Sequence, residues 1–340
     1  MRRIVELPFP GQSDRICDII VENIVEEYLK RDARSRLNIQ ALGSPGMFML
    51  CGMVSSQADF DVSEVIRQIY DQIGYKDPIE PFIHLEPFTT EQEKLVQKNH
   101  YQDTVIVHGF ASSETREKLP KPLVLAHNYW QKINSLRLND SRFNWLMPDG
   151  KIILAMNGNE IEQLILDIQH ARSIQPLDLK NALLEELFSN LVNSDSASLL
   201  INSAGTFIEG GLQANSGLSQ VNQDAINYGG LFPKNSISYI GKDPWHPAKS
   251  GHFFARFLAK DLMEKFEVDF VFARLIYSPG ATEPIAIEAR LSDGRLLEKR
   301  DLANYDPRIS AIMERWQLQN LPFGKLAESN LFMNRANPFE

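Results

Sequence analysis

The residues best suited to chemistry in this sequence sit in three settings. Residues 201–243, INSAGTFIEGGLQANSGLSQVNQDAINYGGLFPKNSISYIGKD, string Gly205, Gly210, Gly211, Gly217, Gly229, Gly230 and Gly241 between short apolar runs that also carry Phe207 and Lys242. Glycines at this density either bring backbone close to a ligand or turn the chain tightly between strands, and the pattern alone leaves both readings open. The run PGQSDRICD sets Asp14 and Arg15 at the start of an apolar-periodic segment. A carboxylate there can complement a helix dipole or hold a metal ion, and spacing alone favours the dipole. Trp145-Leu-Met-Pro-Asp149-Gly-Lys151 carries a carboxylate and an ammonium group at a Pro-Asp-Gly turn, which needs no ligand to explain it.

Regular elements must position these groups. Residues 14–30 put Ile16, Ile19, Ile20, Ile24, Tyr28 and Leu29 on one stripe with Glu22, Glu26 and Lys30 opposite, which predicts a helix that Ser13 caps. Residues 46–54 predict a buried strand. Asp61 to Glu64 form a capping box opening a helix with Val65, Ile66, Ile69, Tyr70 and Ile73 inward and Gly74 as its stop. Residues 77–100 are Pro-rich and polar and predict a surface connection. A strand entering a turn is expected over 101–115, and a helix from Pro120 on which His127 is a core or interface histidine. Strands are expected at 152–156 and 160–171, and a helix over 177–191. The remainder predicts a helix over 246–266, strands over 270–277 and 283–291, and a helix over 307–316. Helices alternating with strand pairs imply sheets covered on one face.

Composition narrows the classes. With 340 residues, two or three domains are expected, and 43% hydrophobic residues suit a soluble globular protein. A formal charge of −9 without a basic patch argues against nucleic acid or an acidic membrane surface as partner. The two cysteines, Cys17 and Cys51, lie in apolar patterns and predict buried free thiols in a reducing compartment. No stretch reads as a signal peptide or membrane span, so a cytoplasmic protein is expected.

The order Asn-x-x-Gly-x-Phe-x-x-Gly-Gly, Gly-Leu-Ser, Asn-Tyr-Gly-Gly, Gly-Lys-Asp-Pro resembles the nucleotide-binding segment of S-adenosylmethionine synthases, or methionine adenosyltransferases. The likeness extends over PGQSDRICD, 101–115 and 145–151, weakening at 77–100 and after about residue 291. It implies an α/β (α+β) fold of three similar discontinuous domains, each a mixed β-sheet covered by helices. The segments would be 1–10 with 114–209 (N-terminal), 11–90 with 210–248 (central) and 91–113 with 249–340 (C-terminal). It further implies a homodimer or higher oligomer packed sheet to sheet, with active sites lined by both chains.

The implied reaction is attack of methionine sulfur on the ribose C5′ of ATP, in which positioning and cationic stabilisation of the leaving triphosphate supply the catalysis. Residue by residue, Asp14 matches a magnesium ligand and Arg15 a phosphate contact. Asp103 falls on the acid that meets the methionine end, Asp149 and Lys151 on nucleotide and substrate contacts, Phe207 on the aromatic that stacks on adenine, and Lys242 on an oxyanion contact. Lys242, Lys151 and Asp103 are the candidate catalytic groups. Phe207 reads equally well as core.

Much of the family's charge is absent. Gln12 replaces a His, Thr206 and Val221 replace arginines, Asn222 and His246 replace lysines, and Ala248 and Asn215 replace Asp. Gln40 stands at the potassium-site Glu and Met53 at a Glu that holds methionine. Losing four charge-assisted hydrogen bonds at ~1.5–3 kcal/mol each is comparable with the whole ~8 kcal/mol of micromolar binding. Two functions are therefore expected to compete. One is adenosyl transfer from ATP or a related nucleotide to methionine or another sulfur acceptor, with a depleted Mg2+ site and a K+ site lacking its Glu. The other is a non-catalytic relative that binds an adenosyl ligand such as S-adenosylmethionine or regulates an active synthase.

Overall fold

The computed structural model describes residues 2–188 and 197–340. In chain order the elements begin with β1 (Arg2–Pro8), α1 (Ser13–Arg31), β2 (Arg36–Ser44), β3 (Met47–Ser55), α2 (Val62–Ile73), β4 (Glu80–Glu86) and α3 (Thr90–Gln97). Next come β5 (Val105–Ser112), α4 (Lys121–Asn139), β6 (Leu146–Asn157), β7 (Glu160–His170), α5 (Pro176–Leu187) and β8 (Ser198–Ile201). The chain continues through α6 (Gly211–Ala214), β9 (Gly217–Leu218), α7 (Gln223–Tyr228) and α8 (Pro247–Phe266). It closes with β10 (Phe270–Tyr277), β11 (Ala286–Leu291), β12 (Leu296–Glu298), α9 (Ile309–Trp316) and α10 (Phe323–Ala327). No described helix is long and apolar enough to cross a membrane.

The fold is α/β, with three four-stranded sheets in the orders β1-β6-β7-β8, β4-β3-β2-β9 and β12-β11-β10-β5. Each sheet joins strands far apart in sequence, so the three units interlock. The first two are mixed, through the parallel pairs β7/β8 and β3/β4. The third is antiparallel throughout, not mixed as expected. Its strands β10 to β12 are joined by short connections, which suit antiparallel pairing.

Two helices form the centre. Along α1, Ile16, Ile19, Ile20 and Ile24 are each at most 1% exposed, and each contributes roughly 1.5–3 kcal/mol of burial. The long α8 buries residues on all sides, including Phe253, Phe254, Leu258 and Leu262, between β5, β10 and α9. Buried over most of its length, it is a core helix whose last turns, with Glu264 and Lys265, reach solvent. Where the stretch 201–243 passes α1, Gly241 sits at φ +74°, and a Cβ there would lie 2.0 Å from the Ile39 carbonyl oxygen. Only glycine fits this approach.

Several expectations change. Residues 77–100 hold β4 and α3 rather than an irregular connection. β4 is an edge strand and α3 buries no residue, so neither shows apolar periodicity. Ser13 does not cap α1. The Gln12 side chain does, accepting from the Asp14 and Arg15 amides, while the Ser13 hydroxyl donates to Ser216 O. Asp61 caps α2 by accepting from the Glu64 amide, without the reciprocal bond of a capping box among the described residues. Cys17 is buried, but Cys51 is exposed on the open face of β3. His127 is a core histidine, 1% exposed and tilted against Trp130, with burial pushing its pKa down to about 4. The strand over 283–291 begins only at Ala286, and the helix over 307–316 only at Ile309. The helix over 177–191 ends at Leu187, and residues 189–191 lie outside the described residues.

Candidate functional site

The first cluster is built on the N-terminus of α1. Gln12 Oε1 accepts from the Asp14 and Arg15 amides at 3.0 and 3.2 Å and from Asn222 Nδ2 at 3.2 Å. Asp14 Oδ1 accepts from the Leu218 amide at 2.8 Å, and its Oδ2 accepts from Gln12 Nε2 at 3.0 Å and Asn222 Nδ2 at 3.3 Å. An ionised carboxylate offers about four acceptor positions. Three of Asp14's are thus filled by the protein's own donors, on a helix end that already favours negative charge.

Beside it, Gly11 packs against Pro148 and Asp149, whose backbone would meet any Cβ on Gly11. Asp149 stands in a register shift of β6 between Leu146 and Gly150. The Pro-Asp-Gly segment is therefore a bulge within a strand rather than a turn between strands, a feature that re-aims side chains and recurs beside sites. Asp149 Oδ2 accepts from the Gly211 amide at 2.7 Å, and the Asp149 amide donates to Gln169 Oε1 at 3.2 Å. The Tyr75 hydroxyl donates to Gly11 O at 2.8 Å and lies 3.2 Å from the same Gln169 oxygen. Gly211 has φ +57°, and a Cβ there would strike the Tyr75 ring. Burial pushes the Asp149 carboxyl up to about 6, against the lowering effect of the Gly211 and Gly150 amides and Lys151.

The second cluster lies along the far part of β2. Lys242 bridges to β2 at Asn38, and its Nζ donates to Asn38 Oδ1 at 2.6 Å. Asn38 pairs across the sheet with Met53. Burial pushes Lys242 down to about 8, opposed by Asp103. Asp103 is 42% exposed, with its Oδ2 3.9 Å from His246 Nε2. His246 caps α8 by accepting the Ala248 amide on Nδ1, and burial together with Lys242 and Lys249 pushes its pKa down to about 3, so it is neutral. Below this cluster Glu22 accepts from the Gly241 amide at 2.7 Å and from Lys249 Nζ at 2.7 Å. Lys249 and Glu22 are both buried, and Lys249 lies over the Phe323 ring.

The remaining candidates fall elsewhere. Arg15 is 2% exposed; its guanidinium donates to Asp18 at 3.3 Å and to the Ala327 carbonyl, turned into the chain rather than toward a cleft. Lys151 pairs with Glu6 at 2.9 Å on the partly open face of the first sheet. Phe207 is half-buried and outside the apolar core, its amide donating to His170 Nε2 at 3.1 Å. The structure therefore joins Asp14 with Gln12 and Asn222, and Lys242 with Asp103, but leaves Arg15 and Lys151 apart. Asn38, Tyr75 and His246's capping role were not foreseen. Asn38 carries no spacing signal of its own, because its part depends on a bridge spanning some two hundred residues.

Asp14 is the magnesium ligand the resemblance assigned, and its carboxylate is already engaged by the protein's own donors. Among the described residues no group of three or more His, Cys, Asp or Glu side chains is placed to hold a metal. At Asp14 the positions a cation would take are held by two neutral amide groups and a backbone N–H, all presenting hydrogens. At the expected potassium position Gln40 offers no charge and is exposed.

Comparison with known proteins agrees with this geometry in outline. Family models for the S-adenosylmethionine synthetase N-terminal, central and C-terminal domains match residues 6–94, 98–207 and 209–340. The S-adenosylmethionine synthase of Prochlorococcus marinus (strain MIT 9211) is 26% identical over 92% of this chain and 87% of its own length. That of Aquifex aeolicus (strain VF5) is 24% identical over 96% of each. That of Petrotoga mobilis (strain DSM 10674 / SJ95) is 28% identical over 82% of this chain and 78% of its own. Interlocked sheets, a glycine-rich stretch laid along α1 and matches to all three domain models in order together place this chain in the S-adenosylmethionine synthetase family, as a divergent member.

Proposed function

We propose that this chain binds an adenosyl ligand such as S-adenosylmethionine in the family's nucleotide cleft without a divalent metal, as a non-catalytic member that pairs with a second copy or with an active synthase. The observation that carries this reading is the Asp14 carboxylate, three of whose acceptor positions are already taken by Leu218, Gln12 and Asn222. A triphosphate brings about four negative charges, and the surviving cations do not converge on one place. A sulfonium ligand carries the opposite sign and suits half-buried Asp103 and the buried carboxyl of Asp149, the latter through an amino or hydroxyl donor. Phe207, outside the core, is free to stack on an adenine.

A second reading, adenosyl transfer from ATP or a related nucleotide, is favoured by Lys242 beside Asp103. In it, the acceptor sulfur forms a bond to C5′ as the C5′–O bond breaks and the polyphosphate departs, with Lys242 meeting the oxyanion and Asp103 an acceptor amine. Calorimetry of the full chain separates the two. The first predicts S-adenosylmethionine binding of equal affinity in excess magnesium and in chelator. Magnesium-dependent capture of ATP, followed by appearance of a sulfonium product with methionine, would overturn it in favour of the second.

A further inference from the structure

Between the start of β2, the connection after α3 and the N-terminus of α9 lies a cavity of about 190 Å³ that the site above does not use. Its polar lining comes from Arg36, Asn99, His100, Gln102 and Ser310, with no acidic side chain. Arg36 is only 9% exposed and stacks on Trp245, its guanidinium carbon 4.0 Å from the ring centroid. Its Nη1 donates to the Arg34 and Ser35 carbonyls at 2.9 and 3.3 Å. Its Nε and Nη2, the parallel pair of N–H groups that grips an oxyanion side-on, have no protein partner among the described residues. The nearest acid, Asp243, is already occupied by the Leu37 and Trp245 amides, so it tempers the Arg36 charge without capping those donors.

A second source of positive potential meets the first. Helix α9 has no side-chain cap, and Arg308, its N-cap residue, forks onto Asp306 instead. The amides of Ser310 and Ala311 have no hydrogen-bond partner among the described residues, and Ser310 lines the cavity. An uncapped helix N-terminus carries roughly half a positive charge and presents N–H groups to an anion. The open guanidinium edge reaches the solvent of the cavity opposite this helix end, so an anion entering there exchanges water for two parallel N–H donors.

We propose that this cavity is an oxyanion site, taking a phosphate or carboxylate group of a small molecule between the Arg36 fork and the N-terminus of α9. Its volume admits such a group but not a nucleotide. Because Gln102 and Trp245 adjoin Asp103 and His246, an occupant lies next to the second cluster without sharing its groups.

The test is calorimetry of the full chain with inorganic phosphate and, separately, with methionine as the carboxylate probe, alongside S-adenosylmethionine as a control ligand. Binding of phosphate alone assigns the site to phosphate groups, and binding of methionine that Arg36→Gln weakens assigns it to carboxylates. Arg36→Gln should weaken whichever probe binds by about 10- to 100-fold, the worth of one charge-assisted pair. Should Arg36→Gln fail to fold, Ser310→Glu keeps the question open to measurement. Ser310 is exposed, and a carboxylate in the first turn stabilises a helix while filling the site itself. Ser310→Glu should abolish probe binding and leave the control ligand's affinity unchanged. The inference is overturned if wild-type protein binds neither probe at millimolar concentration. It is equally overturned if both variants bind the probe as wild type does, or if Ser310→Glu weakens probe and control ligand alike.

Discussion

Asp149 stores unfavourable energy, and its cost has a definite pH window. Burial raises its folded pKa to about 6 from an ordinary carboxylate value of 3.8. Between those values the folded chain holds the proton more tightly than the unfolded chain, so stability falls as pH rises through the window. Above it, the lost stability amounts to roughly 3 kcal/mol. Asp149→Asn removes the ionisation and still offers an oxygen to the Gly211 amide. The variant should therefore melt higher than wild type at pH 7 and no higher at pH 4, while binding an adenosyl ligand more weakly because the carboxylate's charge is gone. Equal melting shifts at both pH values would show that Asp149 ionises as freely as an exposed carboxylate. A group that destabilises the fold and strengthens binding is the usual trade at a ligand site.

At the scale of elements, α1 and α8 are linked by Glu22 and Lys249, buried groups of opposite charge. Burial raises the Glu22 pKa and lowers that of Lys249, so each depends on the other to stay charged. Lys249→Met leaves Glu22 with the Gly241 amide alone and should cost about 3–5 kcal/mol, whereas Glu22→Leu with Lys249→Met should recover most of it. Urea denaturation of the three proteins checks this, and a double variant as unstable as the single one would deny the coupling. Both helices were legible in the sequence because burial on most sides makes long apolar runs. β4 and α3 were not, since an edge strand and an uncovered helix have no apolar face to display. The same logic divides the site. Gly211 and Gly241 announced close backbone approaches, and Asp14 a helix start. Nothing in spacing could tell that Arg15 turns inward to Ala327, or that Asn222 reaches the very carboxylate from which its charge is missing. Such facts depend on partners some two or three hundred residues away.

For the molecule as a whole, the open face of the second sheet leaves a row of large apolar side chains exposed. Leu218, Leu42, Met49 and Phe82 stand opposite one another across β9, β2, β3 and β4, exposed by 45%, 40%, 42% and 51%. Their neighbours Phe48 and Leu50 point the other way and are fully buried, so the alternation places one apolar row against the helices and one against solvent. A contiguous row of this kind across four strands is the exposure that a contact surface carries, and it gives the proposed pairing a place. Cys51 lies on the same open face, paired with Gln40 and His84 rather than with other apolar groups, so the row has a polar border. A stable interface buries about 800 Å² per partner, which the face of a four-stranded sheet can supply. The proposed pairing with a second copy therefore predicts that light scattering on the purified chain gives twice the monomer mass at micromolar concentration. Met49→Lys, at the centre of the row, would be buried on both sides of a two-fold contact and should give monomers that keep their fold and circular dichroism. A wild-type chain that stays monomeric, or a Met49→Lys variant that still dimerises, would move the contact away from this sheet.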